Sequence, residues 1–193
     1  MTSAATKKQQ RSHNRSQAVL DAGAMLFATR GYKATTMRDI AAEVGMQPGS
    51  LYYHFASKQE LLQAIYEIAV KQAQARLDEA IAEPHDPKTV FERAIIAHTE
   101  TMLDQNNYAK VMTGVLPLDA PEIQADLTAM RDGYEATFTR IIDDLQLPPS
   151  IDKKMLRLLV LGATNATRTW YRPGGDTPEQ IGTKIVAILR IAI

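Results

Sequence analysis

The chain has 193 residues, an apolar fraction of 45% and no cysteine. This apolar content is enough for a buried core, and the lack of cysteine excludes disulfides and thiolate metal sites and favours a reducing compartment. The N-terminus is polar and basic, unlike a secretory signal, and no stretch approaches the ~18 apolar residues that a membrane-spanning helix needs. We therefore expect a cytoplasmic protein with no membrane partner.

The charges are divided unevenly along the chain, although the formal net charge is zero. Residues 1–58 hold eight basic and three acidic side chains, a net charge of +5, and the remainder holds 14 basic and 19 acidic ones, a net charge of −5. A basic head on an acidic body is typical of a nucleic-acid-binding protein. Chance clustering with a solvated basic tail would give the same split, so charge alone leaves both interpretations open.

A polar, basic segment over residues 1–10 is expected to be disordered, because it is poor in apolar groups. A first helix is predicted over residues 11–30, where apolar residues recur on one side. Gly31 follows its end, at the position where a helix often terminates in a left-handed residue. This helix is expected to brace the next two helices.

Two short helices joined by a tight turn are predicted within residues 35–58. Thr36 stands at an N-cap position, Gly45 can adopt the positive φ that the turn needs, and Pro48 suits the first turn of the second helix. The residues of the second helix expected to point into the core are Leu51 and Phe55. Two short helices with a polar, aromatic second member are typical of a helix-turn-helix that reads DNA.

Apolar periodicity predicts six further helices in the rest of the chain, separated by prolines or asparagines. Ser57 and Glu60 have the spacing of a capping box at the start of the first of them. The predicted helices cover residues 57–82, 87–102, 108–116, 121–145, 152–171 and 178–193. No strand pattern with a hairpin turn is present, so we expect an all-α fold of about nine helices. Because the sequence ends inside an apolar helical pattern, we expect the terminus to lie a little beyond Ile193.

The first third of the chain carries motif residues at characteristic spacings. They are Gly31-Tyr32, Thr35-Thr36, Ile40-Ala41, Gly45, Gly49, Leu51-Tyr52-Tyr53-His54-Phe55, Ser57-Lys58 and Leu61-Leu62. At these positions the chain resembles TetR-family transcriptional regulators. The resemblance implies a homodimer that binds palindromic double-stranded operator DNA and is released by a small-molecule effector. It divides the chain into a basic tail (1–10), a helix-turn-helix DNA-binding domain (11–56) and a ligand-binding and dimerisation domain (57–193).

The resemblance also assigns the DNA contacts. Contacts to phosphates are implied for Thr36, Arg38, Tyr52, His54 and Lys58, and a position along the major groove is implied for Gln47, Pro48, Gly49, Ser50 and Tyr53. Family members commonly have Ser or Thr in place of Gln47, so the cap of the recognition helix is expected to be weak here. Gln47 can read adenine bidentately or remain a solvated side chain, and the sequence leaves both open. Packing of Tyr52 on the first helix is the alternative to a phosphate contact.

The last two helices carry broad apolar faces. These faces consist of Met155, Leu158, Leu159, Gly162, Ala163, Ala166 and Trp170 in the first and Ile181, Ile185, Ile188 and Leu189 in the second. Two such helices from each of two subunits would form a four-helix dimer interface. An ordinary intramolecular core is the alternative. We favour the dimer because a helix-turn-helix protein reads two half-sites about 34 Å apart.

The segment LGATNATRTWYRPGGDTPEQI resembles the branch of TetR regulators that senses acyl-CoA thioesters. The resemblance implies that Arg168 and Arg172 meet CoA phosphates, that Trp170 packs on the acyl or adenine portion, and that Asn165 bonds the thioester or the pantetheine amides. Ala166 stands where an aromatic residue is frequent, which leaves the acyl group open. The alternatives are a surface ion pair for each arginine, an interface anchor for Trp170 and a helix-packing hydrogen bond for Asn165.

Further candidates for the ligand pocket are polar, soft or aromatic residues of the central helices. They are His98, Met102, Met112, Arg131, Tyr134 and Phe138. Residues of this kind at helical spacing also form ordinary cores. His98 has no second ligand at coordinating spacing, so we expect no metal site and no cofactor apart from the effector.

Other functions fit the sequence less well. An all-helical enzyme is not supported, because no phosphate loop, nucleophile elbow, HExxH or paired-carboxylate motif is present. A helical adaptor without DNA binding is opposed by Lys58, His54 and the charge of +5. A TetR-type repressor that responds to a hydrophobic ligand other than CoA remains an alternative. We expect the effector to act by a population shift that tilts the helix starting near Ser57.

Overall fold

The computed structural model describes the backbone of residues 2–82 and 86–192 and the side chains of residues 14–82 and 86–190. Met1 and Ile193, which end the predicted domains, lie outside this part. The described residues form nine α-helices: α1 (Thr2–Arg30), α2 (Met37–Glu43), α3 (Pro48–His54), α4 (Lys58–Ile81), α5 (Pro87–Met102), α6 (Asn107–Gly114), α7 (Gln124–Asp143), α8 (Lys153–Trp170) and α9 (Pro178–Ala192). Two short 3₁₀ turns, Pro117–Asp119 and Pro121–Ile123, precede α7, and no strand occurs among these residues. The predicted all-α class is confirmed.

The chain divides into two compact units. The first comprises residues up to Ala69 together with Asn106–Thr128, and the second comprises Val70–Gln105 together with the residues from Ala129 onward. Helices α4 and α7 therefore contribute residues to both units. This division does not follow the predicted boundary between residues 56 and 57, because α6 packs on α1 and places residues 106–128 in the first unit.

Local capping and glycine geometry define α1 to α3 in the first unit. The hydroxyl oxygen of Thr36 accepts from the amide of Asp39, and the Asp39 carboxylate accepts from the amide of Thr36, which completes a capping box. Gly31 and Gly45 have φ of 87° and 64°, the left-handed conformation that ends α1 and makes the turn after α2. Pro48 occupies the first turn of α3. These four predictions from the sequence are confirmed.

Close approach of helices sets the core of each unit. In the first unit, a Cβ added at Gly23 of α1 would lie 3.0 Å from side-chain atoms of Leu61 and Ile65 of α4. In the second unit, a Cβ added at Gly182 of α9 would lie 2.8 Å from the Cα of Ile96 of α5. Gly182 needs a residue without a side chain, because the added atom would meet backbone there, whereas at Gly23 it would meet the ends of two side chains. The buried apolar side chains of the described residues include Leu26, Ile40, Leu51, Phe91, Ile95, Phe138 and Ile181.

Several predicted helix ends differ from the structure. Helix α1 begins at Thr2 rather than Arg11, which corrects the expectation of disorder over residues 1–10. This segment is rich in Ala, Lys and Gln, which are good helix formers that extend an existing helix at little cost. At the start of α4, Ser57 caps the amide of Glu60, but the Glu60 carboxylate accepts from the amide of Ala56 instead of completing the predicted box.

The interruption by Pro117 and Pro121 is more extensive than predicted. The first proline falls in one 3₁₀ turn and the second opens another, so α7 begins at Gln124 rather than at Pro121. Within the part of the chain that the structure describes, no helix is long and apolar enough to cross a membrane.

Candidate nucleic-acid interface and ligand site

Helix α3 presents small, polar and aromatic side chains to solvent. Its inward residues, Leu51 and the following Phe55, are buried as predicted. The predicted groove residues are all on the outer side or partly exposed: Gln47, Pro48, Gly49, Ser50 and Tyr53. Tyr53 is 87% exposed, and a Cβ added at Gly49 would meet nothing within 4 Å. The helix can therefore approach another surface closely along this side.

The N-terminus of α3 lacks a side-chain cap. Gln47 occupies the N-cap position with extended backbone angles, φ −68° and ψ 141°, and its side chain makes no capping hydrogen bond. The weak cap predicted from the sequence is confirmed. Pro48 carries no N–H, and the amide of Ser50 donates to the carbonyl of Gln47 over 2.9 Å, so the start of α3 is closed by the backbone rather than by a side chain.

The predicted phosphate contacts on α2 are exposed, although Thr36 already has an intramolecular partner. Arg38 lies in the first turn with its side chain in solvent. The Thr36 hydroxyl donates to the Asp39 carboxylate over 2.6 Å. Hydrogen bonds from the Thr36 side chain and backbone hold the pKa of Asp39 below its usual value. The structure thus shows Thr36 as the cap of α2, and its contact with DNA stays a prediction.

Tyr52, His54 and Lys58 are placed differently from one another. Tyr52 is 50% exposed, so it is not buried in the protomer core. Nδ1 of His54 lies 2.9 Å from the hydroxyl of Ser16 on α1, and its ring meets that of Tyr53 edge-on. The hydrogen bond fixes the orientation of the imidazole at the end of α3.

The Lys58 side chain turns back to the segment between α1 and α2. Its ammonium donates to the carbonyl of Tyr32 over 3.0 Å and to the carbonyl of Thr35 over 3.1 Å. It also lies 4.2 Å from the centroid of the Tyr32 ring. Burial lowers the pKa of this ammonium, an effect partly opposed by Glu122. Nothing in the spacing of the sequence indicated that Tyr32 or Ser16 contributes to this region, since neither contact lies within one helical turn.

Four of the predicted ligand residues come together in the second unit. His98 is 3% exposed, and its Nδ1 and Nε2 lie 2.9 Å from the Tyr134 hydroxyl and 3.1 Å from Oδ1 of Asn165. Because an amide oxygen only accepts, Nε2 carries the proton and Nδ1 accepts from Tyr134. The Phe138 ring packs edge-on against the imidazole, with centroids 5.2 Å apart. We call these four residues the His98 cluster.

Burial sets the protonation of the His98 cluster. It lowers the pKa of His98 to about 4, and the hydrogen bond with Asn165 opposes this shift only in part. Burial likewise raises the pKa of Tyr134. The cluster is therefore neutral at physiological pH and consists of donors and acceptors rather than charges. Among the described residues, no three His, Cys, Asp or Glu side chains are grouped so that they could hold a metal ion.

The remaining ligand candidates are not among the hydrogen-bond and ring partners that the structure describes for His98. Met112 belongs to the first unit, whereas Met102 belongs to the second. Arg131 is exposed and lies 3.8 Å from the Glu135 carboxylate. The Arg172 guanidinium donates to the backbone carbonyl of the preceding residue, Tyr171, over 2.8 Å. Arg168 and Trp170 are exposed. Roles for these side chains in binding a ligand stay predictions.

Helix α8 exposes the apolar face predicted for it. The exposed members are Met155, Leu158, Leu159, Gly162, Ala163, Ala166 and Trp170. Of the predicted face of α9, Ile188 is exposed and Ile185 and Leu189 are partly exposed, while Ile181 is buried in the second unit. The apolar residues predicted on α8 are exposed, and their role in a dimer stays a prediction. Ile181 is corrected to a core residue, because α9 packs against α5 on that side.

Comparison with known proteins identifies both parts of the chain. Residues 19–65 match the model of bacterial regulatory proteins of the tetR family, and residues 84–193 match the tetracyclin repressor-like C-terminal domain. The HTH-type transcriptional repressor KstR2 of Rhodococcus jostii is 30% identical over 179 residues, which are 89% of this chain and 87% of that protein.

Solved structures show the same fold. The ketosteroid transcriptional regulator KstR2 of Mycobacterium tuberculosis superimposes with a TM-score of 0.76 at 25% identity, over 93% of this chain and 94% of that one. AibR in complex with isovaleryl coenzyme A and operator DNA has a TM-score of 0.78 over 90% and 97% of the two chains, and at 22% identity it shows the fold alone. Together with the helix-turn-helix geometry, these matches show that the chain belongs to the TetR family and is a DNA-binding transcriptional regulator rather than an enzyme.

Proposed function

We propose that this protein is a repressor that binds a palindromic operator as a homodimer and is released by a small-molecule effector, for which an acyl-CoA thioester is the class we favour. The observation that carries the DNA-binding part is the exposed outer side of α3. It combines a fully exposed aromatic ring at Tyr53, open space beside Gly49 and an uncapped helix start at Gln47. These features sit in a segment whose net charge is +5.

In this proposal the contacts divide into two classes. Arg38, Tyr52 and His54 bind phosphates, which sets affinity and register. Thr36 can join them through the exposed side of its hydroxyl. Gln47, Pro48, Gly49, Ser50 and Tyr53 lie along the major groove, where Ser50 and Gln47 are able to hydrogen-bond base edges. Sequence preference thus depends on the groove residues of α3. Total affinity depends mainly on the residues that bind phosphates.

The proposed dimer uses the apolar face of α8 together with the exposed part of α9. A row of exposed apolar side chains of this size is uncommon on a monomer and is typical of a protein–protein interface. Gly162 and Ala166 are exposed within it, and no atom of the protomer lies within 4 Å of a Cβ built at Gly162. A second copy of α8 can therefore approach the backbone closely, and a two-fold arrangement would supply the two heads that a palindrome requires.

The proposed effector site includes the His98 cluster. It offers a hydroxyl, an imidazole and an amide in an apolar surrounding, which suits carbonyl and amide groups of a neutral ligand portion such as a thioester or pantetheine. AibR, of the same fold, was solved with isovaleryl coenzyme A and operator DNA, so this fold can accommodate a CoA thioester. A hydrophobic ligand without CoA is the competing proposal, because the cluster itself contains no cation to pair with the CoA phosphates.

The effector must bind the operator-free conformation more tightly than the operator-bound one, because only this difference shifts the equilibrium. Helices α4 and α7 each contribute residues to both units. They are therefore the elements we propose to transmit the change.

The test starts from a random duplex library selected on the purified protein. We expect enriched sites with two inverted half-sites, and a binding constant that falls steeply as salt rises. The best duplex is then titrated with short-chain and long-chain acyl-CoAs, the matching free acids and CoA alone.

Three results of this test separate the proposals. Release by an acyl-CoA and not by the acid supports the CoA effector, and release by the acid alone supports the hydrophobic-ligand alternative. Unchanged affinity across the panel would overturn the effector proposal and leave the operator binding intact. Absence of any salt-dependent complex would instead favour the adaptor.

A further inference from the structure

Lys58 lies at the first position of α4, but its ammonium is directed at the turn that precedes α2. We propose that Lys58 is a positioning residue for operator binding, which holds the start of α2 through the carbonyls of Tyr32 and Thr35 rather than contacting DNA itself. This inference rests on the proposed binding of an operator. It assigns to Lys58 a role different from the phosphate contact that the family resemblance implies.

The geometry of the ammonium supports this role. Two of its three N–H groups are used on the carbonyls of Tyr32 and Thr35, at 3.0 and 3.1 Å. The Tyr32 ring, 4.2 Å away, covers another side of the charge by a cation–π contact. Hydrogen bonds with a charged donor are in general stronger than those between neutral groups. The side chain is therefore held in one place before any DNA is present.

The two carbonyls belong to the segment that fixes where α2 begins. The Thr35 side chain is fully buried, and its hydroxyl donates to the carbonyl of Gly31 over 2.9 Å. The Thr35 amide donates to the carbonyl of Tyr32 over 3.3 Å, so this carbonyl accepts from both Thr35 and Lys58. The segment is thus tied on one side to the end of α1 and on the other to the start of α4.

Thr36, the N-cap of α2, follows Thr35 directly. The orientation of the capping box, and with it the first turn that carries Arg38, depends on the position of the Thr35 peptide group. Helix α2 also packs on α3, with Ile40 and Leu51 both fully buried. Without the Lys58 ammonium, two carbonyls lose a charged donor and the start of α2 loses its link to α4.

Three variants test the proposal. Lys58→Met removes the donors and keeps an unbranched side chain of similar length, and Lys58→Arg restores a cation that can donate to both carbonyls and stack on Tyr32. Arg38→Met is the matched control, because it removes an exposed cation that makes no described contact with the 32–35 segment. Each full-length variant is measured in two ways: operator affinity as a function of salt, and amide hydrogen exchange over residues 35–40 of the DNA-free protein.

We expect Lys58→Met to weaken operator binding by at least ~10-fold and to raise exchange at the amides of residues 35–40 in the DNA-free protein by a similar factor. Lys58→Arg should recover most of both losses. Arg38→Met should reduce the slope of log K against log salt by about 1.8, the value for one phosphate contact from each of the two protomers, and leave exchange in the free protein unchanged.

Two results would overturn the inference. If Lys58→Met reduces the salt slope by about 1.8, one contact from each protomer, and leaves exchange unchanged, Lys58 is a phosphate contact. If exchange rises equally throughout the first unit and Lys58→Arg restores nothing, the residue has only a general stabilising role. A failure of the unmodified protein to bind any duplex would overturn the proposed function, while the exchange comparison would still decide the role of Lys58 in the turn.

Discussion

Helices α3 and α8 both have one side that no part of the protomer covers, but they expose opposite kinds of residue. The outer side of α3 carries the exposed Tyr53 beside small and polar residues, and its inner side buries Leu51. On α8 the exposed side carries Leu159, and the buried side includes Thr164 and Thr167. The exposed side of α3 is thus polar and aromatic, whereas that of α8 is mainly apolar.

This difference indicates which partner each helix binds. Buried threonines are tolerated in α8 because the hydroxyl of Thr164 donates to the carbonyl of Val160 over 2.8 Å, and that of Thr167 donates to the carbonyl of Thr164 over 2.6 Å. Exposed apolar groups on the other side gain free energy only when another apolar surface covers them. Exposed polar groups gain nothing from such a surface and suit a hydrated, charged partner such as DNA. The exposed side of α8 therefore suits an apolar partner surface, and that of α3 suits a hydrated, charged partner.

The largest effect is expected from placing a charge on the apolar face. Leu159→Asp puts a carboxylate on a side chain that is 62% exposed in the protomer but becomes buried in the proposed dimer. Burying an unpaired charge is costly, so we expect the dissociation constant of the dimer to rise by at least ~100-fold. Sedimentation equilibrium measures this change.

The matched control for this prediction is Leu118→Asp. It changes an equally apolar side chain that is 73% exposed but lies in the 3₁₀ segment of the first unit. Its dimer affinity should equal that of the unmodified protein. An unchanged mass for Leu159→Asp would show that the α8 face is not the interface.

The second prediction concerns the inward polar side of α8, where Asn165 meets His98. Burial lowers the pKa of His98 to about 4 in the folded protein, against its ordinary value of 6.5. Below pH 6.5 the unfolded chain binds a proton that the folded protein excludes, so stability falls as pH decreases towards 4. Between pH 7.5 and 5 this contributes roughly 2 kcal/mol to the loss in the free energy of unfolding.

Denaturant unfolding at fixed protein concentration, for the unmodified protein and His98→Gln, measures this contribution. Between pH 7.5 and 5 the free energy of unfolding of His98→Gln should fall by roughly 2 kcal/mol less than that of the unmodified protein, because glutamine does not titrate. Parallel profiles for His98→Gln and the unmodified protein would contradict the low pKa of His98.

The third prediction concerns the polar side of α3. Tyr53→Ala removes a ring that the protomer does not bury, so we expect about a tenfold loss of operator affinity with thermal stability nearly unchanged. Tyr66→Ala is the control with the opposite outcome, because the Tyr66 ring is buried and its removal leaves a cavity. Fluorescence anisotropy and thermal melting measure the two quantities. An equal loss of thermal stability in Tyr53→Ala would show that Tyr53 is structural.

The smallest effect is expected at Gly162, and its sign is informative. In a solvent-exposed helix, replacing glycine by alanine stabilises by about 1 kcal/mol, as we expect for Gly133→Ala on α7, where no atom lies within 4 Å of the added Cβ. Gly162 has the same empty surroundings in the protomer. If a second α8 packs closely there, Gly162→Ala should weaken the dimer by a few-fold while Gly133→Ala does not. A dimer unaffected by Gly162→Ala would place the close contact elsewhere on α8.

The sequence by itself determined features that depend on residues within one helical turn of each other. The Thr36 cap, the left-handed Gly31 and Gly45, Pro48 at the start of α3 and the weak cap at Gln47 are all local. Hydrogen bonds between neighbours, and the conformational freedom of glycine and proline, hold in nearly any surrounding, so these predictions needed no knowledge of the fold. The apolar period of α8 was predictable for the same reason.

Only the tertiary structure decided which distant residues meet. His98 and Asn165 are 67 residues apart, Ser16 and His54 are 38 apart, and Tyr32 and Lys58 are 26 apart. Such pairs depend on how the helices pack, which periodicity does not specify. The same holds for the placement of residues 106–128 with the first unit. The sequence thus predicted α3 as the helix that reads DNA, and the tertiary structure showed that Lys58 donates to two carbonyls in the turn before α2.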